Sequence, residues 1–140
     1  MKLNTTEIHI RHRATAIVEI NAGILIVQES NLVYNLPGGG VHQGELNEAA
    51  AIRELKEETG LDTVSVQFLF DHFGKIRSID NRHRQTHHAV FLIETIGNPQ
   101  PNDGILQIRF YQPGDDAIIG RSAGQIIDKY LAFKLATQVK

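Results

Sequence analysis

The segment Gly39-Gly40-Val41-His42-Gln43-Gly44-Glu45-Leu46-Asn47-Glu48-Ala49-Ala50-Ala51-Ile52-Arg53-Glu54-Leu55-Lys56-Glu57-Glu58-Thr59-Gly60-Leu61 decides the reading of this chain. From Asn47 to Thr59 it predicts a helix. Three consecutive alanines favour helix, Asn47 is a capping residue type, and Gly60 stands where a left-handed C-terminal residue is wanted. Glu54, Glu57 and Glu58 fall at i, i+3 and i+4, so at ~100° per residue they share one arc of the helix. Ile52, Leu55 and Thr59 lie on another arc, placed to hold the helix against a core. Like charges at such spacing repel, and the pattern calls for a compensating cation or a solvated face. Carboxylate oxygens are the hard ligands that Mg²⁺ prefers, with Mn²⁺ an alternative. Three glutamates alone would read as an ordinary solvated face.

They do not stand alone. Gly39, Glu45, Arg53-Glu54-Leu55, Glu57-Glu58, Gly60 and Leu61 spell G-x5-E-x7-R-E-U-x-E-E-x-G-U, with U apolar. Its seven specified residues, at ~6% each, and two apolar positions would meet by chance in a chain this long with probability on the order of 10⁻⁷. The segment resembles the signature of the Nudix (MutT-type) hydrolases, with the box at residues 39–61. Tyr34-x-Leu36-Pro37-Gly38-Gly39 ahead of it and Arg109-Phe110 after it are similar to the family's flanks. The resemblance implies an α/β/α sandwich with a mixed sheet and a loop-helix-loop catalytic motif. It also implies hydrolysis of the pyrophosphate linkage of a nucleoside diphosphate joined to another group. An oxidised or ordinary nucleoside triphosphate, ADP-ribose, a dinucleoside polyphosphate and a nucleotide sugar all fit that description.

Carried over by position, the resemblance makes Glu57 and Glu58 the main metal ligands, Glu54 a ligand or base, and the Gly39 carbonyl a further ligand. Arg53 would orient a glutamate through a charge-assisted bond, and Glu45 would brace the loop or accept from Arg53. Chemistry agrees with this assignment, because a divalent ion neutralises a diphosphate and acidifies a bound water. Two positions depart from the family's habit: His42 stands where many relatives carry an acid, and Leu46 where many carry a Ser or Thr cap. A further acid after the box often joins the family's site. Near its usual place stands Gln107, which leaves Asp103, Glu94 and Asp115 as candidates.

Outward from the box, alternation from Ala14 to Ile20 and again through Ile24 and Ile26, around Asn21-Ala22-Gly23, predicts a hairpin. Leu32–Leu36 reads as a short strand ending in Pro37. Val64–Phe70, Ala89–Ile96 and Ile105–Tyr111 read as strands. In the tail, Ile126, Ile127, Tyr130, Leu131 and Leu135 recur at helical spacing from Ser122 to Ala136. With no repeat or linker, the whole of 1–140 reads as one α/β (α+β) domain with helices on the faces of a mixed sheet.

The polar stretch from Asp71 to His88 reads as a hairpin with a long, partly ordered loop. Its Lys75, Arg77, Arg82 and Arg84 could receive phosphate, and Arg82 and Arg84 are the substrate-binding candidates. Tyr34 and Phe110 are candidates for stacking a base, although aromatics so placed are more often core. The stretch also gathers His72, His83, His87 and His88, without the ligand spacing of a tetrahedral zinc site.

Composition narrows the classes. The 140 residues carry a formal charge of -2 and no cysteine, which excludes disulfides, thiolate metal sites and Cys nucleophiles, and gives no net positive field for a stable nucleic-acid partner. The isoprenyl diphosphate isomerases, which share the fold, use a Cys that this chain lacks. No apolar run approaches the ~20 residues of a membrane span. The start, Met1–Glu7, does not read as a signal peptide, so a cytoplasmic location is the default. The expected partner is a small nucleotide diphosphate, and a homodimer is compatible with the sequence. The alternative to an enzyme is a non-catalytic, nucleotide-sensing domain of the same fold, in which the box is usually damaged.

Overall fold

The predicted catalytic helix forms over Asn47–Thr59 (α1) in the computed structural model, which describes residues 7–138. Gly60 adopts φ 76° and donates its N–H to the Lys56 carbonyl, closing the helix in the left-handed conformation that costs other residues roughly 1–2 kcal/mol. The start differs from expectation. Leu46, not Asn47, is the N-cap, with no side-chain cap bond, and the loop ahead is held instead by the Glu45 carboxylate accepting from the His42 N–H at 2.9 Å.

Around α1 the order is β1 (Ile8–Ile17), β2 (Glu19–Ile20), β3 (Gly23–Gln28), β4 (Tyr34–Asn35), β5 (Gly38–Gly40), then after the helix β6 (Asp62–Phe73), β7 (Arg77–Ile79), β8 (Arg82–Ile96), β9 (Gln107–Tyr111) and α2 (Arg121–Gln138). One sheet runs β5-β1-β8-β6, with β7 also on β8; the other runs β2-β3-β4, with β9 on β3. The β1–β8 pair is parallel and its neighbours antiparallel, so this sheet is mixed.

Side chains alternate across that mixed sheet and fix the layers. Ala14 and Ala16 of β1, with Ala89, Phe91 and Ile93 of β8, pack against Ala50, Ala51 and Leu55 of α1. Ile17 and Val90, from the opposite face, pack with Ala123, Ile126, Ile127 and Tyr130 of α2. A helix therefore covers each face. This explains why Ala14 to Val18 are all buried without a polar alternation.

Several expectations are corrected. The run from Ala14 to Ile20 is not one strand of a hairpin: the chain leaves the first sheet at Val18, whose carbonyl accepts from the Leu25 N–H, and enters the second. Leu32–Leu36 shortens to Tyr34–Asn35. The long, partly ordered loop is absent. Strand β6 continues to Phe73, β8 begins at Arg82, and a two-residue turn joins β7 to β8. Asp80 and Asn81 both have positive φ, 51° and 62°, the conformation of a type I′ hairpin. The polar residues there stay extended because β1 reaches back to Ile8 and pairs with β8 along its whole length. Leu135, expected on the packed stripe of the last helix, is exposed. No helix among the described residues is long and apolar enough to cross a membrane. Residues 1–6, read above as no leader, lie outside those described.

Candidate active site

Strand β5 lies antiparallel to β1, which sets Gly40 opposite Arg13 and Gly39 opposite Ala14. The same strand runs beneath α1, so the box glutamates meet a glycine backbone. A Cβ on Gly39 would collide with the Glu54 carboxylate. Glu58, 5% exposed, accepts the Gly38 N–H at 3.0 Å.

Arg53 ties the site together. Its Nε donates to Glu45 Oε2 at 2.8 Å and Nη2 to Oε1 at 3.0 Å, a forked pair, and Nη2 also reaches the Gly40 carbonyl at 3.1 Å. Nη1 donates to Glu54 at 2.9 Å and to Glu57 Oε2 at 3.4 Å. The guanidinium thus joins the loop acid to two of the three helix acids. These bonds and the His42 N–H hold the Glu45 carboxyl down to about 2, and the same partners raise Arg53 further above its ordinary value. Glu57, with 43% of its side chain exposed, is the free arm of the group; only 16% of Glu54 is exposed.

Glu58 has a different environment. Burial pushes its carboxyl up to about 7, against the Gly38 N–H and the positive charge of Arg13, and with the negative charge of Glu54 adding to the rise. Arg13 is itself largely buried, donates to the Leu36 carbonyl at 3.2 Å, and feels Glu58 more than any other carboxylate. The donor set suits a hard divalent ion: three carboxylates on one helix face, one of them desolvated, against the glycine strand Gly38–Gly40. Among the described residues no three His, Asp or Glu side chains already converge as a finished ion site. Arg53 Nη1 bridges Glu54 and Glu57 instead, and an ion shared by those carboxylates would have to share them with the guanidinium.

The substrate candidates separate. Both Arg82 and Arg84 line grooves along the β7–β8 hairpin, but of the two Arg84 alone also lines a cavity of about 580 Å³ between β1, β8 and the start of α2. Tyr34 is 6% exposed and donates its hydroxyl to Gln107 at 3.0 Å. Phe110 packs against the α1-side core. Neither ring lines a cavity described here. Of the acids outside the box, Asp115 pairs with Arg109, Asp103 sits in a turn at φ 51°, and Glu94 faces solvent opposite Ser65.

Sequence reasoning missed Arg13 and Glu29. Arg13 reaches the box only through the β1–β5 pairing, and Glu29, just beyond β3, adds negative field at both Glu58 and Arg13. No spacing in the chain signals either one.

The family model described as NUDIX domain matches residues 10–125. A crystal structure from Chromobacterium violaceum, provisionally described as a nudix hydrolase family member, is 35% identical, with a TM-score of 0.74 over 88% of this chain and 77% of that one. The solution structure of the E. coli ORF135 protein is 19% identical, with a TM-score of 0.77 over 95% of this chain and 96% of that one. A bifunctional NMN adenylyltransferase/ADP ribose pyrophosphatase from Francisella tularensis, complexed with AMP and a Mn ion, is 21% identical. Its TM-score is 0.64 over 87% of this chain and 41% of that one.

Proposed function

This chain belongs to the NUDIX domain family, and from that premise we propose that it is a divalent-metal-dependent pyrophosphohydrolase acting on a nucleoside diphosphate linked to another group. The observation that carries the reading is the complete box folded as one unit, with Arg53 joining Glu45, Glu54 and Glu57 and with Glu58 buried against Gly38. The Mn ion and AMP in the Francisella tularensis relative lend support.

In this reading Glu54, Glu57 and Glu58, with the Gly39 carbonyl, hold Mg²⁺ or Mn²⁺. When bound, such an ion supplies charge neutralisation for the diphosphate and a more acidic water. The protein's own residues do the rest. Arg53 fixes the rotamers of Glu54 and Glu57, and Glu45 fixes Arg53 in turn. The lack of a side chain at Gly39 leaves the Glu54 carboxylate room against the loop. Glu54, held by one guanidinium nitrogen at 2.9 Å, keeps its second oxygen for a water proton. Arg13, opposite Gly40 on the neighbouring strand, brings a buried positive charge whose field reaches Glu58.

The test is a panel of ADP-ribose, nucleoside triphosphates and their oxidised forms, dinucleoside polyphosphates and nucleotide sugars, incubated with the protein and Mg²⁺ and resolved by chromatography. A nucleoside monophosphate product from one class supports the reading. Ligand-induced thermal stabilisation without any cleavage would replace it with the sensor.

A further inference from the structure

On its α2 side the mixed sheet is apolar only as far as the helix covers it. Ala123 is the first buried residue of α2, and where the helix begins, the same sheet face turns basic. Alternation along β1 puts His9, Arg11 and Arg13 on this face, and the parallel register sets them beside Arg84, Thr86 and His88 of β8. Strand β7 adds Arg77 directly opposite Arg84. The space they enclose forms two adjoining chambers of about 290 and about 580 Å³, which share Arg11, Asn35, Arg77, Thr86 and Ser122.

Three observations bear on its occupant. First, Arg11, Lys75, Arg77, Arg84 and Arg121 border this space, and among the described residues none makes an ion pair with a carboxylate. Second, like charges directly opposite on neighbouring strands are destabilising, so the Arg77–Arg84 register carries a cost that a bound anion would remove. Third, no carboxylate and no phenyl, phenol or indole ring lines either chamber. The lining offers a phosphate guanidinium forks, the Ser122 hydroxyl and the Asn35 amide, and with no carboxylate in it nothing there repels an anion.

We propose that this cavity binds a second phosphate group, carried on the substrate at a distance from the diphosphate that is cut. Arg13 lines the smaller chamber and stands opposite Gly40 of the box strand, with its guanidinium on the Leu36 carbonyl just ahead of that strand, so the chamber lies next to the loop of the box. The inference rests on the hydrolase reading for its substrate and names a narrower class: nucleoside diphosphate compounds with a separate phosphomonoester.

Two commercial pairs differ by one such phosphate: NADPH against NADH, and coenzyme A against dephospho-coenzyme A. Calorimetric titration of the protein in EDTA measures binding without turnover. The wild type should bind the phosphorylated member of at least one pair about tenfold or more tightly than its partner. Arg77→Gln/Arg84→Gln should lose that preference while binding the unphosphorylated member within about twofold. Lys134→Gln, which removes a charge paired with Glu19 elsewhere, should keep it. Equal affinities within both pairs, a preference that survives the double substitution, or no binding of any of the four would overturn the proposal. The same compounds with Mg²⁺ separate the two readings. Preference in EDTA without hydrolysis sinks only the hydrolase, and hydrolysis without preference sinks only the phosphate cavity.

Discussion

The Glu54 carboxylate occupies the space in which a Cβ on Gly39 would stand. The loop glycine and the helix acid are therefore one feature of the site, and this contact holds the loop against the helix as closely as a backbone allows. Gly39→Ala should fold, because the displaced group is the flexible end of a side chain and Gly39 has no positive φ. Turnover should fall by about one to two orders of magnitude, with a higher Mg²⁺ requirement. Steady-state kinetics across a Mg²⁺ titration checks this, and wild-type kinetics in the variant would detach Gly39 from the site.

Arg53 holds Glu45 with a fork and reaches Glu54 and Glu57 with the remaining nitrogen. Arg53→Lys keeps the charge and loses the fork, since an ammonium cannot satisfy that geometry. Residues that orient metal ligands cost about 10- to 100-fold when changed. The expected result is a loss of that size in kcat/KM; Arg53→Lys at wild-type activity would contradict a positioning role.

Glu57 and Glu58 should respond alike in activity and differently in stability. Either change to Gln removes a proposed ligand, and turnover should drop at least 100-fold. Glu58→Gln also removes a buried charge, so the metal-free Tm should hold level or rise, whereas exposed Glu57→Gln should leave it nearly unchanged. Melting both variants in EDTA and assaying them in Mg²⁺ tests the pair. A large fall in the Tm of metal-free Glu58→Gln would mean the carboxylate serves the fold.

The helix and the box were legible because all their information is local: propensity, a C-terminal glycine, and acids at helical spacing between Gly39 and Leu61. The cavity was not. It depends on β1 lying parallel to a strand 75 residues later, with α2 beginning partway along their shared face. Arg11 and Arg84 look like surface charges until that register is known. Polarity also misled the reading of Asp71–His88, since strands bordering a polar cavity lack apolar alternation. Tyr34 and Phe110 show the reverse case, aromatic rings near the box that pack into the two cores.

His88 supplies a pH dependence remote from the box carboxylates. Burial, then the charges of Arg13, His72, His87 and Arg11, pushes its imidazole down to about 4, and its Nδ1 pairs with the Thr15 hydroxyl at 2.9 Å. Between about 4 and the ordinary His value of ~6.5 the unfolded chain binds this proton and the folded one does not, so stability falls as pH drops through that window. The Tm should decline from pH 6.5 to pH 4 with a smaller slope in His88→Gln. Equal slopes would remove His88 from the cause.

The central claim is that the box carboxylates cut a diphosphate only with a divalent ion in place. It is tested most directly by turnover of the best substrate in the panel by metal-stripped protein, before and after stepwise addition of Mg²⁺ or Mn²⁺, with metal content measured at each step. The account predicts no turnover in excess EDTA, full recovery on adding back the ion, and no recovery in Glu57→Gln. Turnover that persists in EDTA with metal shown to be absent, or Glu57→Gln that recovers as the wild type does, would contradict it.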